Sequence, residues 1–113
     1  MDALTEDSPL DVDPDALEFY ALRLFVAGTS GQSARAIVNA RRFCERYLPG
    51  RHSLEVVDIY QQPALARDEQ ILAVPTLIRT LPPPSRRLVG DLSDTMRVLQ
   101  GLGLPILDLL AET

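Results

Sequence analysis

The sequence predicts a single α/β domain preceded by an acidic segment, and three features carry that reading. Two runs with the patterning of buried strands, Tyr20 to Val26 and Ser53 to Tyr60, flank a stretch whose apolar residues recur at helical intervals. Later, two short strand-like runs surround three consecutive prolines, and a final helical segment follows Gly90-Asp91. The length, 113 residues, suits one compact core and not two.

Residues 1–18 contain two prolines, many acids and little periodic apolar content, so they read as a flexible acidic tail, with the domain proper at 19–113. Leu22, Leu24 and Val26 alternate against Arg23 in the first strand, which Gly28 stops. The helix that follows starts with Thr29 and Gln32 in the spacing of a capping box. It places Ala34, Ile37, Val38, Cys44 and Leu48 on its apolar side and ends at Pro49-Gly50. In Ser53 to Tyr60, apolar residues on both faces predict a central strand. Pro63 opens a second helix running through Leu65, Arg67, Asp68, Ile71 and Leu72. Strands at Thr76 to Leu81 and Arg86 to Val89 follow. Ser93 then caps a last helix with Met96, Val98, Leu99 and Leu102 as its apolar positions. The order is βαβ, then αββα.

Composition narrows the function classes. No apolar run reaches the roughly 18 residues of a membrane span, and the acidic N-terminus lacks the basic and apolar regions of a secretory signal, so a cytoplasmic location is expected. Cys44 is the only cysteine and His52 the only histidine, which argues against an internal disulfide, a metal site or another cofactor. Seven of the 16 acids (Asp2, Glu6, Asp7, Asp11, Asp13, Asp15 and Glu18) lie in the first eighteen positions, where no basic residue occurs. The other nine acids face eleven arginines, leaving about +2 on the remainder of a chain whose net charge is -5. The dense basic face with interleaved aromatics expected of a nucleic-acid binder is missing.

The individual polar residues read mostly as structural. Ser30 and Ser33 suit caps and have no histidine base nearby for nucleophilic chemistry, so no catalytic residue is assigned. Cys44 fits a buried helix face and His52 an exposed turn. Gly28-Thr29-Ser30-Gly31 lacks the lysine and glycine spacing of a phosphate-binding loop.

A βαβ unit, a helix, and then Val74-Pro75-Thr76 at the head of a strand resemble the thioredoxin-like fold, in which a cis proline lies beside the active-site turn. Thioredoxins carry Cys-x-x-Cys in that turn, where a helix N-terminus stabilises the thiolate. Here the turn reads Ser30-Gly31-Gln32-Ser33, and a hydroxyl cannot cycle through a disulfide. Read together, LRLFVAG, SARAI, EVVDIYQQPALARDEQILAVPTL and LPPPSRRLVGDLS are similar to the KaiB family of circadian-clock proteins, from about Tyr20 to Leu102, with the chain as a divergent member.

The resemblance implies a non-enzymatic protein that binds the KaiC ATPase and modulates its phosphorylation cycle. It also implies two folds: a homo-oligomeric ground state, dimer or tetramer, and a rarer thioredoxin-like βαβαββα monomer that binds KaiC. Pro75, Pro82, Pro83 and Pro84 withhold backbone donors from a β-ladder, and an X-Pro bond prefers trans by only ~0.5 to 1 kcal/mol, as suits a segment with two packings. Gly90 and Asp91 form the junction that, in the family, helps set the balance. The expected partner surface is the second helix and its preceding loop, with Gln61, Pro63, Leu65 and Arg67, supported by Arg35, Arg86 and Arg87. Glu55 stands where cyanobacterial members carry a lysine on the surface that meets KaiA, so KaiA is not an expected partner. Two other readings stay open: a thioredoxin-like redox or peroxide-stress protein, and a KaiC-sensing domain of the kind found in histidine kinases.

Overall fold

The computed structural model describes residues 18–104. The expected tail at 1–18 lies outside the described residues except for Glu18. The element order is β1 (Tyr20–Val26), α1 (Gly31–Tyr47), β2 (His52–Asp58), α2 (Pro63–Asp68), β3 (Thr76–Leu81), β4 (Arg86–Val89) and α3 (Thr95–Leu102). The strands form one sheet in the order β2-β1-β3-β4, with β1 parallel to β2 and antiparallel to β3, and β3 antiparallel to β4. Of the two expected arrangements, this is the thioredoxin-like one. Among the described residues no helix is long and apolar enough to cross a membrane.

The two faces of the sheet are covered unequally. Leu22, Leu24, Leu77 and Leu88 point toward α1 and α3 and join Ala36, Ala40, Phe43, Cys44, Val98, Leu99 and Leu102 in the larger core. Positions 36, 40, 43 and 44 make a stripe on α1 in which two alanines let the helix approach the sheet closely. On the other face, Phe25, Val57 and Ile78 form a smaller cluster against α2 and its flanks, including Ile59, Leu65, Ile71 and Val74. A fully buried large apolar side chain contributes about 1.5 to 3 kcal/mol, so the larger cluster supplies most of the stabilisation.

Several local expectations change. Ser30, not Thr29, caps α1, because its extended backbone brings Oγ to the Ser33 N–H at 3.2 Å. Asp94, not Ser93, caps α3, accepting from the Arg97 N–H at 3.2 Å. Ala34 and Val38 are exposed, since the α1 stripe turns toward Ser33, Ala36 and Ala40 instead. β2 is an edge strand of the described sheet: the six-residue α2 reaches Val57 but leaves Ser53 and Glu55 uncovered. α2 itself ends at Asp68, and Gln70 at φ 55 turns the chain so that Ile71 folds under while Leu72 projects outward. His52 is half-buried, with Nδ1 2.7 Å from the Leu48 carbonyl at the end of α1.

The three prolines after β3 are held by an arginine. Arg79 is 5% exposed; its Nη1 donates to the Leu102 carbonyl at 2.6 Å and its Nη2 to the Pro84 carbonyl at 2.7 Å. One side chain thus fixes the proline loop and the last turn of α3 to the middle of the sheet. Its Nε has no hydrogen-bond partner among the described residues, so the anchor carries some desolvation cost. The Val74-Pro75, Leu81-Pro82 and Pro83-Pro84 peptide bonds are cis. Gly103 ends α3 in the left-handed region at φ 74, and a Cβ there would stand 3.0 Å from Arg86 Nε and 3.1 Å from Arg79 Nη1.

Arg79→Ala strands two carbonyls that a charged donor now satisfies, and is expected to lower the unfolding free energy by about 2 to 4 kcal/mol, read from urea denaturation. The exposed Arg86→Ala control should shift stability by no more than about 0.5 kcal/mol. Equal effects of the two substitutions would contradict the anchoring role.

Candidate functional site

The turn between β1 and α1 sits where a thioredoxin-like fold places its reactive pair, and here it is committed to structure. Ser30 Oγ caps the helix, while Ser33, buried, accepts the Ala27 N–H at 3.0 Å and ties the end of β1 to the first turn of α1. Asp58 closes the neighbouring loop: its Oδ1 accepts from the Gly28 N–H at 3.3 Å and the Tyr60 N–H at 2.9 Å. Pro75 is buried. Cys44 lies well along α1, 1% exposed, and burial, assisted by the nearby Glu45 charge, pushes its thiol up to about 12. A thiol that stays protonated at neutral pH is a poor nucleophile. Among the described residues, no three His, Cys, Asp or Glu side chains gather as metal ligands.

The expected partner residues divide between two surfaces. Gln61 and Pro63 are exposed at the entrance to α2, and Arg67 is exposed on it. Leu65 is half-buried against the Phe25, Val57 and Ile78 cluster, so it holds the helix in place as well as bordering the surface. Arg87 joins this side from β4, donating through Nη2 to the Glu69 carbonyl at 2.9 Å and lying 3.8 Å from the Glu69 carboxylate. A cation at the carbonyl end of a helix is favourably placed, and here it fastens α2 to the edge of the sheet.

Strand alternation separates the paired arginines. Arg87 faces α2, whereas Arg86 faces Gly103 at the end of α3. Arg35 is also away from α2; its Nε lies 3.6 Å from Asp91 Oδ2, so one expected partner residue pairs with one expected junction residue. Gly90 stands at φ 131 beside Arg97, and the Asn39 amide donates to the Asp91 carbonyl at 2.8 Å. Glu55 pairs with Arg23 at 2.9 Å across β1 and β2.

Between α2 and β4 runs an open groove of about 810 Å3, bordered by Arg67, Gln70, Ile71, Leu72 and Arg87 and continuing toward Val89. Leu72 is 96% exposed and Val89 45%. Two guanidinium-bearing residues beside exposed aliphatic side chains suit a protein surface that offers carboxylates around an apolar anchor. Sequence reasoning did not single out Leu72 as exposed or Arg79 as an anchor. The signal that could have found Arg79 is its period-2 spacing from Leu77 in β3, which puts both on the core face.

The KaiB domain profile matches residues 23–104. The chain belongs to the KaiB family. Circadian clock oscillator protein KaiB of Prochlorococcus marinus (strain MIT 9312) is 47% identical over 98 residues, covering 87% of this chain and 92% of that protein. Its counterpart from Synechococcus sp. (strain RCC307) is 49% identical over 85 residues, 75% and 77% of the two chains. Among solved structures, the N-terminal domain of Synechococcus elongatus SasA matches with a TM-score of 0.62 and 26% identity over 81% of this chain and 91% of that one. Mitochondrial thioredoxin 3 from Saccharomyces cerevisiae also reaches 0.62, at 13% identity over 78% and 80%, a likeness of fold alone. This KaiB-family chain thus has the thioredoxin-like fold with serines in the turn after β1.

Two outcomes follow from the titrating groups. Native Cys44 should react with iodoacetamide at pH 8 at least about a hundredfold more slowly than an exposed cysteine, with urea restoring the ordinary rate, as followed by mass spectrometry. Hydrogen bonds from the Ser93 hydroxyl and N–H, with Arg35 nearby, hold the Asp91 carboxyl below its ordinary value. Its contribution is therefore present above the ordinary carboxylate pKa of about 4 and is lost as pH falls through the lower folded value. The stability gap between the parent and Asp91→Asn should close on acidification, measured by urea midpoints.

Proposed function

We propose that this chain is a non-catalytic clock or signalling protein that binds a KaiC-type ATPase and modulates its phosphorylation cycle through a switch between two folds. One observation carries the reading: the resemblance to the Prochlorococcus clock oscillator protein extends over nearly that protein's whole length. The proposed contact is the groove between α2 and β4, with Arg67 and Arg87 meeting acidic residues of the ATPase and Leu72 supplying an apolar anchor. Gln61 and Pro63 extend this surface at the start of α2, and Arg35 and Arg86 act from the opposite face of the sheet.

The switch involves the segment from Pro75 to Asp91, including Pro82, Pro83, Pro84 and Gly90. In the alternative ground state the chain assembles as a cytoplasmic homodimer or homotetramer. KaiA is not a proposed partner, because the β2 edge carries Glu55, paired with Arg23, and no cation in its place. A binding-competent form that is a minor population lowers apparent affinity in proportion and delays capture.

The test is a pull-down with the host's KaiC-type ATPase, with and without ATP, followed over hours. Capture should build slowly with the parent chain and fall at least tenfold for Arg67→Glu combined with Leu72→Asp, both exposed positions that leave the core intact. Equal capture by parent and variant would refute the groove. No capture under any nucleotide condition, or insulin reduction that survives Cys44→Ser, would refute the function.

A further inference from the structure

A second concave surface lies on the opposite side of the sheet from the groove. A cleft of about 190 Å3 opens between α1 and the segment leading into α3, bordered by Arg42, Phe43, Arg46, Tyr47, Ser93 and Thr95. Phe43 and Tyr47 supply an aromatic wall, their ring centroids 4.9 Å apart, and the Arg46 guanidinium lies 5.6 Å from the Tyr47 centroid. Residues 41–51 contain Arg41, Arg42, Arg46 and Arg51 against a single acid, Glu45. The surface therefore combines positive charge, hydroxyl donors and apolar area.

The matching chemistry is in the same chain. Asp2, Glu6, Asp7, Asp11, Asp13 and Asp15 occur within residues 1–17 without any basic residue. The chain enters the sheet from them beside the basic surface: the Tyr20 N–H donates to the Arg51 carbonyl at 2.8 Å, and the Arg51 guanidinium lies 5.9 Å from the Tyr20 ring centroid. Seventeen residues reach up to about 60 Å when extended, whereas α1 is only about 25 Å long.

The spacings also agree. In Leu10-Asp11-Val12-Asp13-Pro14-Asp15 the acids alternate with apolar residues. Alternate side chains of an extended segment repeat about every 6 to 7 Å, close to the roughly 6 Å rise between Arg42 and Arg46 one helical turn apart. Carboxylates at that interval match the spacing of successive arginines on one face of α1.

We propose that the acidic segment Asp11 to Asp15 docks intramolecularly on the cleft between α1 and the start of α3, its carboxylates on Arg42 and Arg46. Because Leu92 lines the same cleft and Asn39 already bonds to the Asp91 carbonyl, the docked segment clasps α1 to the chain just before α3. Tethering gives such a weak electrostatic contact a high effective concentration without any partner.

The test attaches a nitroxide to the full chain at Ser8→Cys, with buried Cys44 left unlabelled, and reads paramagnetic broadening of the 15N amides. Residues 39–47 and 92–95 should broaden selectively. Broadening should fall severalfold in Arg42→Gln with Arg46→Gln, and equally in Asp11→Asn with Asp13→Asn and Asp15→Asn, whose undisturbed core resonances report that the fold is kept. Raising salt from about 0.05 M to about 0.5 M should have the same effect, since screening then acts within a few ångströms. Uniform or absent broadening, or broadening that survives both sets of substitutions, would overturn the proposal. So would broadening in a mixture of labelled 14N chain and unlabelled 15N chain, which would assign the cleft to a second copy.

Discussion

The bidentate grip of Arg79 on two carbonyls organises the carboxy-terminal half of the molecule. β3 supplies the side chain, the proline loop supplies one acceptor at Pro84, and the end of α3 supplies the other at Leu102. Each partner belongs to a different element, and the guanidinium lies in a layer that is otherwise apolar. Buried charge is tolerated only when it is bonded, so the loop and helix must sit where their carbonyls meet the fork. Gly103 is part of the same constraint, because it sits at φ 74 and a side chain there would crowd both Arg79 and Arg86. The prolines, unable to donate to a ladder themselves, are thus held through a carbonyl.

That arrangement leaves the two faces of the sheet with different tasks. The face beneath α1 and α3 buries the larger cluster and carries the stability. The face beneath α2 has only a short helix for cover, and its margin toward β4 stays open. Arg87 spans this margin by bonding to the carbonyl end of α2, which keeps the groove shaped while Leu72 remains in solvent. A thinly covered face with a fixed border suits docking better than it suits stabilisation.

The turn after β1 keeps the geometry of the fold with serines at both ends of the turn. Oxygen replaces sulfur at both ends of the four-residue turn, and both oxygens accept backbone N–H groups. The hydroxyls therefore hold the helix start that a thiolate would otherwise exploit. The remaining thiol is buried and kept protonated by its surroundings. What persists is the thioredoxin-like framework, in a chain whose relatives are named as clock oscillator proteins.

Local chemistry in the chain alone determined the element types, both β3 and β4 to the residue, Pro63 at the start of α2, and the missing redox pair, because alternation, proline and glycine act over a few neighbouring positions. The family was also legible, through motifs in fixed order. Only tertiary structure decided that β2 lies at an edge, that Arg79 is an anchor, which helix each of Arg86 and Arg87 meets, and that Arg35 is drawn to Asp91. These depend on which face each helix covers and where distant carbonyls arrive, and a hydrogen bond between residues 23 positions apart leaves no periodic trace in the sequence. The cap assignments at Ser30 and Asp94 moved by one residue for a related reason: several neighbouring side chains are competent to cap, and packing of the helix against the sheet selects the one that does.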